Sequence, residues 1–578
     1  MNEIAPKTDI YAFHGAGEGG VRAPDMDPIT FEVLRNAFTN TIDEMAVTVK
    51  RAAYSTNVKT RGDFSCVLID LKHRVIAQAG QPGHLVSMSN IVPVTVKQYG
   101  EENIRPGDGF FVNDPHRGAN HLNDITCFMP VFVEDRLFGY VANMAHHVDV
   151  GGASPASLGV NTEIFQEGVI LPGVRVMQNG EFDRNVLDLF LANVRARREV
   201  FGDLRAQMSA NVMGARNIAG IVARYSAAVV AKFFDELMSY TDRWVESELR
   251  RLPQGTFRSE AWRDDDGVSD QPVRLCAAVT LQDGQATLDV TGSSPQQQGP
   301  INVTRFMTRR VLSHVLRCLI DKRVPNNSAL LSRIHVAGPD GLVLTALPPA
   351  AVVGAFETTY RLVSAVFRAL HPVLPDRIPA AGKSLVVNLG FAGWNVRMNE
   401  YYCFMETVAG GDGARPSQDG MSAVQAEMQN TENAPIEEVE LSYPIMFRRY
   451  ELIPDSGGAG RFRGGLGVRR DYWFPYDDCR FSIISDGRKF APWGLAGGAD
   501  GSLARYTYDP EGEARDLPSK ISFTVPKGKG VRVEIPGGGG FGDPRDRDPE
   551  KVRQDVRNGY VSVAAAEQHY GVKVDPVE

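Results

Sequence analysis

Histidine and aspartate residues crowd into one part of this 578-residue sequence in a way that suits metal binding. Five of the eleven histidines fall within 64 consecutive residues: His84, His116, His121, His146 and His147. Carboxylates lie among and near them, and the candidate ligands are Asp63, Asp114, Asp124 and Asp149. Two imidazoles with two carboxylates make a nitrogen and oxygen ligand set that suits Zn²⁺, Mn²⁺ or Fe²⁺. The region therefore predicts a divalent-metal site assembled from separate chain segments.

Two short stretches carry this pattern most clearly. In "NHLNDITCF" (120–128), His121 precedes Asp124 by three positions, and both side chains reach one ion if the chain turns between them. In "NMAHHVDVGG" (143–152), adjacent histidines on a strand face opposite ways, so only one of His146 and His147 is expected to bind the ion. Spacing alone does not choose between them. The competing interpretation is that each histidine is a hydrogen-bonded structural residue.

Other polar residues have plainer explanations beside the functional one. Thr162, Glu163 and Glu167 follow the His-His-Asp element, where they either line the same cleft or cap and solvate a short helix. Arg488 and Lys489 follow an apparent strand, where surface ion pairs are commoner than a site for a substrate anion. These five residues are weaker candidates than the histidine cluster.

Glycine-rich stretches and two cysteines also invite a catalytic interpretation. The stretches "GGAGRFRGG" and "PGGGGFGDP" offer backbone N–H groups for phosphate, but neither is a P-loop or a GxGxxG that opens a helix. Tight turns between strands are the favoured interpretation. Cys66 and Cys127 lie in apolar strands, where thiols are usually inert.

Apolar periodicity divides the chain into strand-rich and helical parts. Asp27-Pro28 predicts the start of a helix that continues to about Ala53. The stretch "FSCVLIDLKHRVIAQA" predicts two strands around a turn, residues 185–252 predict helices, and "RLCAAVTLQDGQATLDVTGSS" predicts a hairpin. Because no regular βαβ alternation is present, the expected fold class is mixed α and β (α+β).

The length of the chain predicts several domains, because single cores stop growing well below 578 residues. We expect a flexible Gly-rich tail over residues 1–25 and a strand-rich, metal-binding catalytic region over 26–255. A mixed α/β middle region with helices is expected over 256–385. A Gly-rich, β-rich C-terminal region with a terminal helical element is expected over 386–578.

Composition and charge narrow the classes of partner and the compartment. A net charge of −8 gives no general electrostatic reason to bind nucleic acid or an anionic membrane. No apolar stretch approaches the roughly 20 residues of a membrane helix, and the N-terminus lacks the pattern of a secretory signal. The six cysteines are scattered without a CxxC pair, which indicates buried thiols in a reducing compartment. We therefore expect a cytoplasmic protein.

A series of motifs resembles one known family. In chain order they are "DPITFEVLRNAF", "RGDFSCVLID", "FVNDPHRGANHLNDIT", "ANMAHHVDVGGASP", "TEIFQEGVILP", "GARPSQDGMSAVQAEMQNTENAPIEEVE" and "PGGGGFGDPRDRDPEKV". Together they are similar to the B-type subunit of the hydantoinase B/oxoprolinase family, from about residue 26 to the C-terminus. That family includes subunits of N-methylhydantoinase, 5-oxoprolinase and caprolactamase, and is related to ketone carboxylases.

The resemblance implies a metal-dependent subunit that works with a partner. An A-type ATPase subunit with an actin-like fold would use ATP to phosphorylate the oxygen of a lactam or hydantoin. The B-type subunit would then hydrolyse the ring C–N bond beside a metal ion, within an (AB)₂ heterotetramer. The matching metal positions are Asp63, His121, Asp124 and His146. The adjacent His147 or Asp149 would accept a proton or orient the ligands.

Two other functions remain open at this stage. One is a subunit of an ATP-dependent ketone carboxylase, in which an activated enolate attacks CO₂ derived from bicarbonate. The other is a non-catalytic scaffold for the A-type subunit. The chain also departs from the family pattern at Thr60, Gln425 and Ala355, which leaves the identity of the substrate open.

Overall fold

The computed structural model describes residues 25–80, 83–429 and 431–574. The flexible tail expected over residues 1–25 lies outside these ranges except for Asp25. The helices of the described residues are α1 (Pro28–Ala52), α2 (Thr56–Lys59), α3 (His84–Tyr99), α4 (Arg184–Ala192), α5 (Arg197–Tyr225), α6 (Ala227–Arg251), α7 (Arg305–Leu319), α8 (Ala355–Leu370), α9 (Ile436–Ser442), α10 (Pro549–Arg557) and α11 (Val563–Ala565).

The strands of the described residues form four sheets. The first seven strands are β1 (Phe64–Asp70), β2 (Val75–Gly80), β3 (Gly109–Val112), β4 (Asp124–Val133), β5 (Arg136–His146), β6 (Pro172–Gln178) and β7 (Glu181–Phe182). The middle strands are β8 (Gly255–Arg263), β9 (Val273–Gln282), β10 (Gln285–Asp289) and β11 (Ile334–Ala337). The remaining strands are β12 (Val387–Asn395), β13 (Glu400–Val408), β14 (Met446–Leu452), β15 (Val468–Trp473), β16 (Cys479–Ile484), β17 (Arg505–Tyr508), β18 (Arg515–Asp516), β19 (Lys520–Val525) and β20 (Gly530–Ile535).

The first sheet lies between helices on both faces. Its strand order in the described chain is β2-β1-β5-β4-β3-β6-β7, and every neighbouring pair is antiparallel. On one face Asn143 donates hydrogen bonds to the Gln207 carbonyl and to Asn211 of α5. On the other face Ser65 is hydrogen-bonded to His84 at the start of α3. Because successive side chains of a strand alternate between faces, α3 and α5 cover opposite sides of the sheet.

The predicted N-terminal helix is confirmed as α1. Asp27 caps it by accepting a hydrogen bond from the backbone N–H of Thr30 at 2.8 Å, and Pro28 occupies the first turn. The buried apolar side chains recur with helical spacing and form the face that packs on α5 and the first sheet: Phe31, Leu34, Phe38, Ile42, Met45 and Val49. The predicted helices within 185–252 are also confirmed, as α4, α5 and α6.

A glycine of α5 lets the two long helices approach closely, which yields a stability prediction. A β-carbon on Gly214 would lie 2.2 Å from the buried Met45 sulfur of α1. We expect Gly214→Ala to lower the free energy of unfolding by about 1–2 kcal/mol, since overpacking outweighs the gain in helix propensity. The matched control is Gly220→Ala on the same helix, where a β-carbon meets no atom within 4 Å. It should stabilise the chain by about 0.5–1 kcal/mol in the same denaturant titration. Equal effects at the two positions would contradict the close-packing explanation.

The rest of the described chain confirms the mixed α and β fold class. The middle sheet has the order β11-β10-β9-β8 and includes the predicted hairpin as β9–β10, while α7 and α8 are the helices of this middle part. The C-terminal part contains two further sheets, β13-β12-β16-β19 and β14-β15-β20-β17-β18. The region boundaries at 255/256 and 385/386 stay predictions. No single described helix is long and apolar enough to span a membrane; α5 and α6, bent by 106° at their junction, meet those criteria only as a pair.

The glycine-rich stretches form paired loops, and the expectation of tight turns was wrong in this respect. The loop before β15 and the loop after β20 run beside each other, and Gly458 donates a backbone hydrogen bond to the Gly538 carbonyl at 2.8 Å. A β-carbon on Gly464 would lie 1.9 Å from the same carbonyl oxygen, so only glycine permits this approach. The N–H groups of Gly464, Gly538 and Gly540 are also hydrogen-bonded to backbone carbonyls. These loops therefore have little capacity left for a nucleotide phosphate.

Candidate metal centre

Sheet register brings the predicted metal ligands together. Asp124 begins β4 and pairs directly with His146, the last residue of β5. Asp63 immediately precedes β1, and its carbonyl accepts a hydrogen bond from the His146 backbone N–H at 3.0 Å. His121 joins them through a turn, because the Asp124 N–H donates to the His121 carbonyl at 3.1 Å. Three neighbouring strands, β1, β5 and β4, thus end or begin at one place.

The side chains of His121, Asp124 and His146 form a compact buried group. Nδ1 of His146 lies 3.1 Å from Oδ1 of Asp124, and Nδ1 of His121 lies 3.7 Å from Oδ2 of the same carboxylate. One ligand atom from each residue falls within 4.8 Å of the other two. The two imidazole rings are 4.7 Å apart at a steep angle of 74°. A single small cation fits the space that such a group encloses.

A small cavity, partly open to solvent, lies over this group. Asp63 lines it, although Asp63 stands outside the 4.8 Å group. The other lining residues are His84, His121, Asp124, His146, Arg310, Phe356, Tyr360, Val386, Asn388, Met405, Thr407, Gln429 and Thr431. The cavity therefore has a metal-ligand wall from the N-terminal part of the chain and a second wall from the middle and C-terminal parts.

The protonation states and unsatisfied atoms of the group suit a divalent ion. Nδ1 of His121 and Nε2 of His146 are buried without any hydrogen-bond partner among the described residues. Burial lowers the pKa of His121 to about 4, so its imidazole is neutral at pH 7. Burial opposes the ionisation of Asp124, but the adjacent imidazoles of His121 and His146 outweigh it and hold the pKa of Asp124 below its usual range. Neutral imidazoles and an ionised carboxylate are the forms that bind metal.

Neighbouring amides orient these ligands. Asn120 donates from Nδ2 to Oδ2 of Asp124 at 2.8 Å. Asn123 donates from its side chain to the His147 carbonyl at 3.0 Å, and its own carbonyl accepts from the His147 backbone N–H at 2.8 Å. The turn that carries His121 and Asp124 is thereby tied to the end of β5. Such outer hydrogen bonds keep ligands in the geometry that a metal ion requires.

The structure does not bring His147 and Asp149 to the cavity. The prediction that adjacent histidines face opposite ways is confirmed: His146 lines the cavity, and Nε2 of His147 lies 2.9 Å from Oε1 of Gln207 on α5. Asp149 is fully buried and forms an ion pair with Arg195 at 2.7 Å. Its other oxygen accepts a hydrogen bond from the Arg195 backbone N–H at 2.7 Å. Both side chains therefore lie outside the lining of the cavity.

The weaker candidates have structural partners. His84 lines the cavity and lies 2.8 Å from the Ser65 hydroxyl, whereas Nε2 of His116 lies 3.2 Å from the Ala350 carbonyl. Asp114 caps a short turn by accepting a hydrogen bond from the His116 N–H at 3.0 Å. Thr162 and Glu163 are exposed.

Two further groups of candidates take the plainer interpretation. Arg488 forms an ion pair with Asp516, and Lys489 with Asp270, as commonly seen at surfaces. Cys66 and Cys127 are buried, and burial raises the pKa of both thiols, which makes them poor nucleophiles.

Sequence reasoning missed the second wall of the cavity. Arg310 and Phe356 lie on α7 and α8, and Asn388 and Met405 lie on β12 and β13. No local spacing links these residues to the histidine cluster, so no signal in the sequence identifies them. The family departures at Thr60, Ala355 and Gln425 do not line the cavity; Ala355 precedes Phe356, and Gln425 donates weakly to the Thr407 carbonyl at 3.3 Å.

Glu167 stands apart from the cavity and yields a pH-dependent prediction. Its Oε1 accepts hydrogen bonds from the backbone N–H groups of Val352 and Val353, each at 2.8 Å. Burial raises the pKa of Glu167 to about 8 from the ordinary 4.5. Its contribution to stability is therefore complete below about pH 4.5 and is lost as pH rises through 8.

We expect the wild-type chain to lose stability relative to Glu167→Gln between pH 5 and pH 9. The relative loss should exceed ~1 kcal/mol, since one pKa unit corresponds to 1.36 kcal/mol. Thermal unfolding of both proteins across this pH range measures it. The control is Glu163→Gln, an exposed neighbour that should follow the wild type at every pH. A constant difference between wild type and Glu167→Gln would show that Glu167 is ionised throughout.

The fold and the buried group define a mixed α and β protein with a candidate divalent-metal centre in a cavity between its N-terminal and later parts. The chain belongs to the hydantoinase B/oxoprolinase family, whose model matches residues 27–544. It is 36% identical over 556 residues to an uncharacterised protein of Methanocaldococcus jannaschii, covering 95% of this chain and 96% of that one. It is 31% identical to the putative B-type subunit of a D-/L-hydantoinase from a Pseudomonas species, covering 96% of both chains.

Two solved structures share the fold. The crystal structure of an ATP-dependent caprolactamase from Pseudomonas jessenii matches with a TM-score of 0.89 and 30% identity, over 95% of this chain and 97% of that one. A nucleotide-free acetone carboxylase matches with a TM-score of 0.87 over 95% of this chain and 80% of that one. At 21% identity, the second likeness is one of fold.

Proposed function

We propose that this chain is the metal-dependent B-type subunit of an ATP-dependent cyclic amidase. A partner ATPase phosphorylates the amide carbonyl oxygen of a hydantoin, a lactam or 5-oxoproline, and this chain completes hydrolysis of the ring C–N bond. The observation that supports this most is the buried group of His121, Asp124 and His146 with its unpaired imidazole nitrogens. It occurs in a chain similar over almost its whole length to a hydantoinase subunit and to an ATP-dependent caprolactamase.

The ligand set defines which ions the site would hold. His121, Asp124 and His146 would bind Zn²⁺ or Mn²⁺, with Fe²⁺ as the alternative, and Asp63 on the same cavity wall is the fourth ligand of the proposal. When bound, the ion supplies Lewis acidity, which makes water more acidic and an activated amide carbon easier to attack.

The chain's own residues position the reaction. Asn120 holds the Asp124 carboxylate toward the imidazoles, and the hydrogen bonds between Asn123 and His147 hold the ligand turn against β5. We assign His147 to ligand orientation, since its ring contacts α5 and not the cavity. We assign Asp149 to positioning as well, through its ion pair with Arg195.

The opposite wall limits water and holds the substrate. Phe356, Val386 and Met405 contribute apolar surface, which suits the carbon skeleton of a small ring. One water adds to the activated carbon and the ring C–N bond breaks, which leaves an acyl phosphate and a nitrogen, still on the same molecule, that takes up a proton. A second water releases inorganic phosphate from the acyl phosphate and leaves a carboxylate, so the overall reaction consumes ATP and two waters and opens the ring.

The partner in this proposal is an A-type ATPase subunit, arranged with this chain as an (AB)₂ heterotetramer. The glycine-rich loops support the need for a partner, because their N–H groups are engaged by backbone carbonyls and not available to ATP phosphates. The proposal involves no nucleic acid and no membrane, in keeping with a net charge of −8.

The test is product analysis of the complex of this chain with its ATPase partner. The complex is incubated with ATP, labelled bicarbonate and a panel of hydantoins, lactams, 5-oxoproline and small ketones. The expected result is an amino acid from one cyclic amide, formed with ADP and without label. Label in a carboxylic acid product would replace the proposal with the ketone carboxylase. If the complex keeps its turnover after this chain's metal ligands are replaced, the chain is a scaffold.

A further inference from the structure

Arg310 of α7 is an unpaired buried cation in the metal cavity. Five arginines rank among the largest fully buried side chains of the described residues: Arg61, Arg263, Arg310, Arg361 and Arg470. Four of them donate hydrogen bonds to side chains or carbonyls, for example from Arg61 to Asn57 at 2.8 Å and from Arg361 to the Phe490 carbonyl at 2.8 Å. No hydrogen bond or ion pair joins the Arg310 guanidinium to another described residue, and its Nε and Nη1 are buried.

Arg310 lies close to the metal ligands through a shared aromatic ring. Its guanidinium carbon is 5.0 Å from the centre of the Phe356 ring, and the His121 ring is 4.8 Å from the same centre. The contact with Phe356 uses one face of the guanidinium and leaves its N–H edge unsatisfied. Buried polar groups are almost always hydrogen-bonded, so the unpaired edge indicates a ligand that completes it.

A helix N-terminus adds to the positive potential at this point. Gly83 precedes the 16-residue helix α3, whose first turn has no side-chain cap. A β-carbon on Gly83 would lie 2.2 Å from Nε of Arg310, so the guanidinium lies directly against this turn. The positive end of a helix dipole and a buried cation oppose each other unless an anion lies beside both.

The charges of the cavity point to a bound anion. Asp63 and Asp124 are the carboxylates among the lining residues, and a divalent cation would neutralise both. The positive charge of Arg310 then remains unbalanced. The planar N–H edge of a guanidinium matches two oxygens of a phosphoryl group, which carries up to two negative charges.

We propose that Arg310 binds the phosphoryl group of the activated substrate and holds it against the first turn of α3, opposite the metal ligands. This rests on the proposed function, because it assigns to the same cavity the group that a partner ATPase would add. Arg310 is thus a binding residue that distinguishes the phosphorylated ring from the free cyclic amide.

The test is calorimetric titration of the full-length, Zn²⁺-loaded chain with inorganic phosphate. Arg310→Met keeps the length of the side chain without the charge and should weaken phosphate binding by about 10- to 100-fold, as expected for charged hydrogen bonds. Arg310→Lys keeps the charge without the planar edge, and its phosphate affinity should lie between those of the wild type and Arg310→Met. Gly83→Ala displaces the guanidinium and should also weaken binding. The matched control is Arg305→Met on the same helix. Arg305 forms an ion pair with the exposed Asp340, and its replacement should leave phosphate binding like that of the wild type.

Several outcomes would overturn the proposal. Equal phosphate affinity in the wild type and Arg310→Met does so, as does a wild-type chain that binds no phosphate. Arg310-dependent binding of bicarbonate in place of phosphate would reassign the site to a carboxylase anion. Bound Zn²⁺ should be unchanged in Arg310→Met, which separates loss of the anion site from loss of the metal.

Failure here is distinguishable from failure of the proposed function. If no cyclic amide is opened but phosphate binding depends on Arg310, the function fails and the anion site stands. If rings are opened in a metal-dependent way and Arg310→Met retains wild-type phosphate affinity, the function stands and the assignment of Arg310 fails.

Discussion

Replacing Asp124 by asparagine is expected to remove the bound metal ion and to lower ring opening by at least about a thousandfold. Asp124 is the carboxylate that both His121 and His146 approach, so the substitution removes the central negative charge of the group. The loss of several kcal/mol of electrostatic stabilisation in the transition state corresponds to a factor of this size. Elemental analysis and turnover of the complex with its ATPase partner measure the two effects together.

The matched control for this prediction is His335→Ala. His335 is an exposed histidine on β11, 3.0 Å from Gln285, and its loss should change neither metal content nor turnover. Asp63→Asn, measured in parallel, tests the fourth ligand and should weaken metal binding while His121, Asp124 and His146 retain part of it. Full turnover by an Asp124→Asn protein that holds no metal would place catalysis elsewhere in the complex.

Replacing Arg195 by methionine is expected to lower the free energy of unfolding by about 3–5 kcal/mol at neutral pH. The substitution leaves the carboxylate of Asp149 fully buried without its partner. Removing one partner of a buried ion pair strongly destabilises the fold, because the other charge stays buried and unpaired. Denaturant unfolding measures the loss, and the exposed Arg198→Met on the same segment is the control that should change little. A loss as small as that of the control would mean that water reaches Asp149.

The stability lost in Arg195→Met should depend on pH in a defined direction. Burial raises the pKa of Asp149 even with Arg195 present, and removing Arg195 raises it further. A raised carboxyl pKa contributes stability that is complete below the unfolded value of 3.8 and is lost as pH rises through the folded value. The deficit of Arg195→Met should therefore be larger at pH 8 than at pH 5. Metal content should be retained more fully than in Asp124→Asn, because Asp149 lies behind the cavity wall.

Sequence patterns predicted the elements that surround the metal ligands. The helical spacing of apolar residues after Asp27-Pro28 predicted α1, and the region that holds the candidate ligands was predicted to be strand-rich. These features depend on interactions between residues close in the chain, where side-chain periodicity determines which face is buried. Spacing singled out His121, Asp124 and one of the two adjacent histidines. Resemblance to family motifs added Asp63 and favoured His146. The role of all four as ligands stays a prediction.

The sequence by itself determined that one of His146 and His147 would face away from the other, because adjacent residues of a strand point to opposite sides. Spacing did not choose between them and family resemblance favoured His146; only the tertiary structure gives the physical reason, since the choice depends on α5 packing against one face of the sheet and α3 against the other. Packing also brought Arg310 and Phe356 to His121 from helices far along the chain. Such long-range contacts leave no periodic signal, because they are set by the shapes of whole elements and not by the spacing of neighbouring residues.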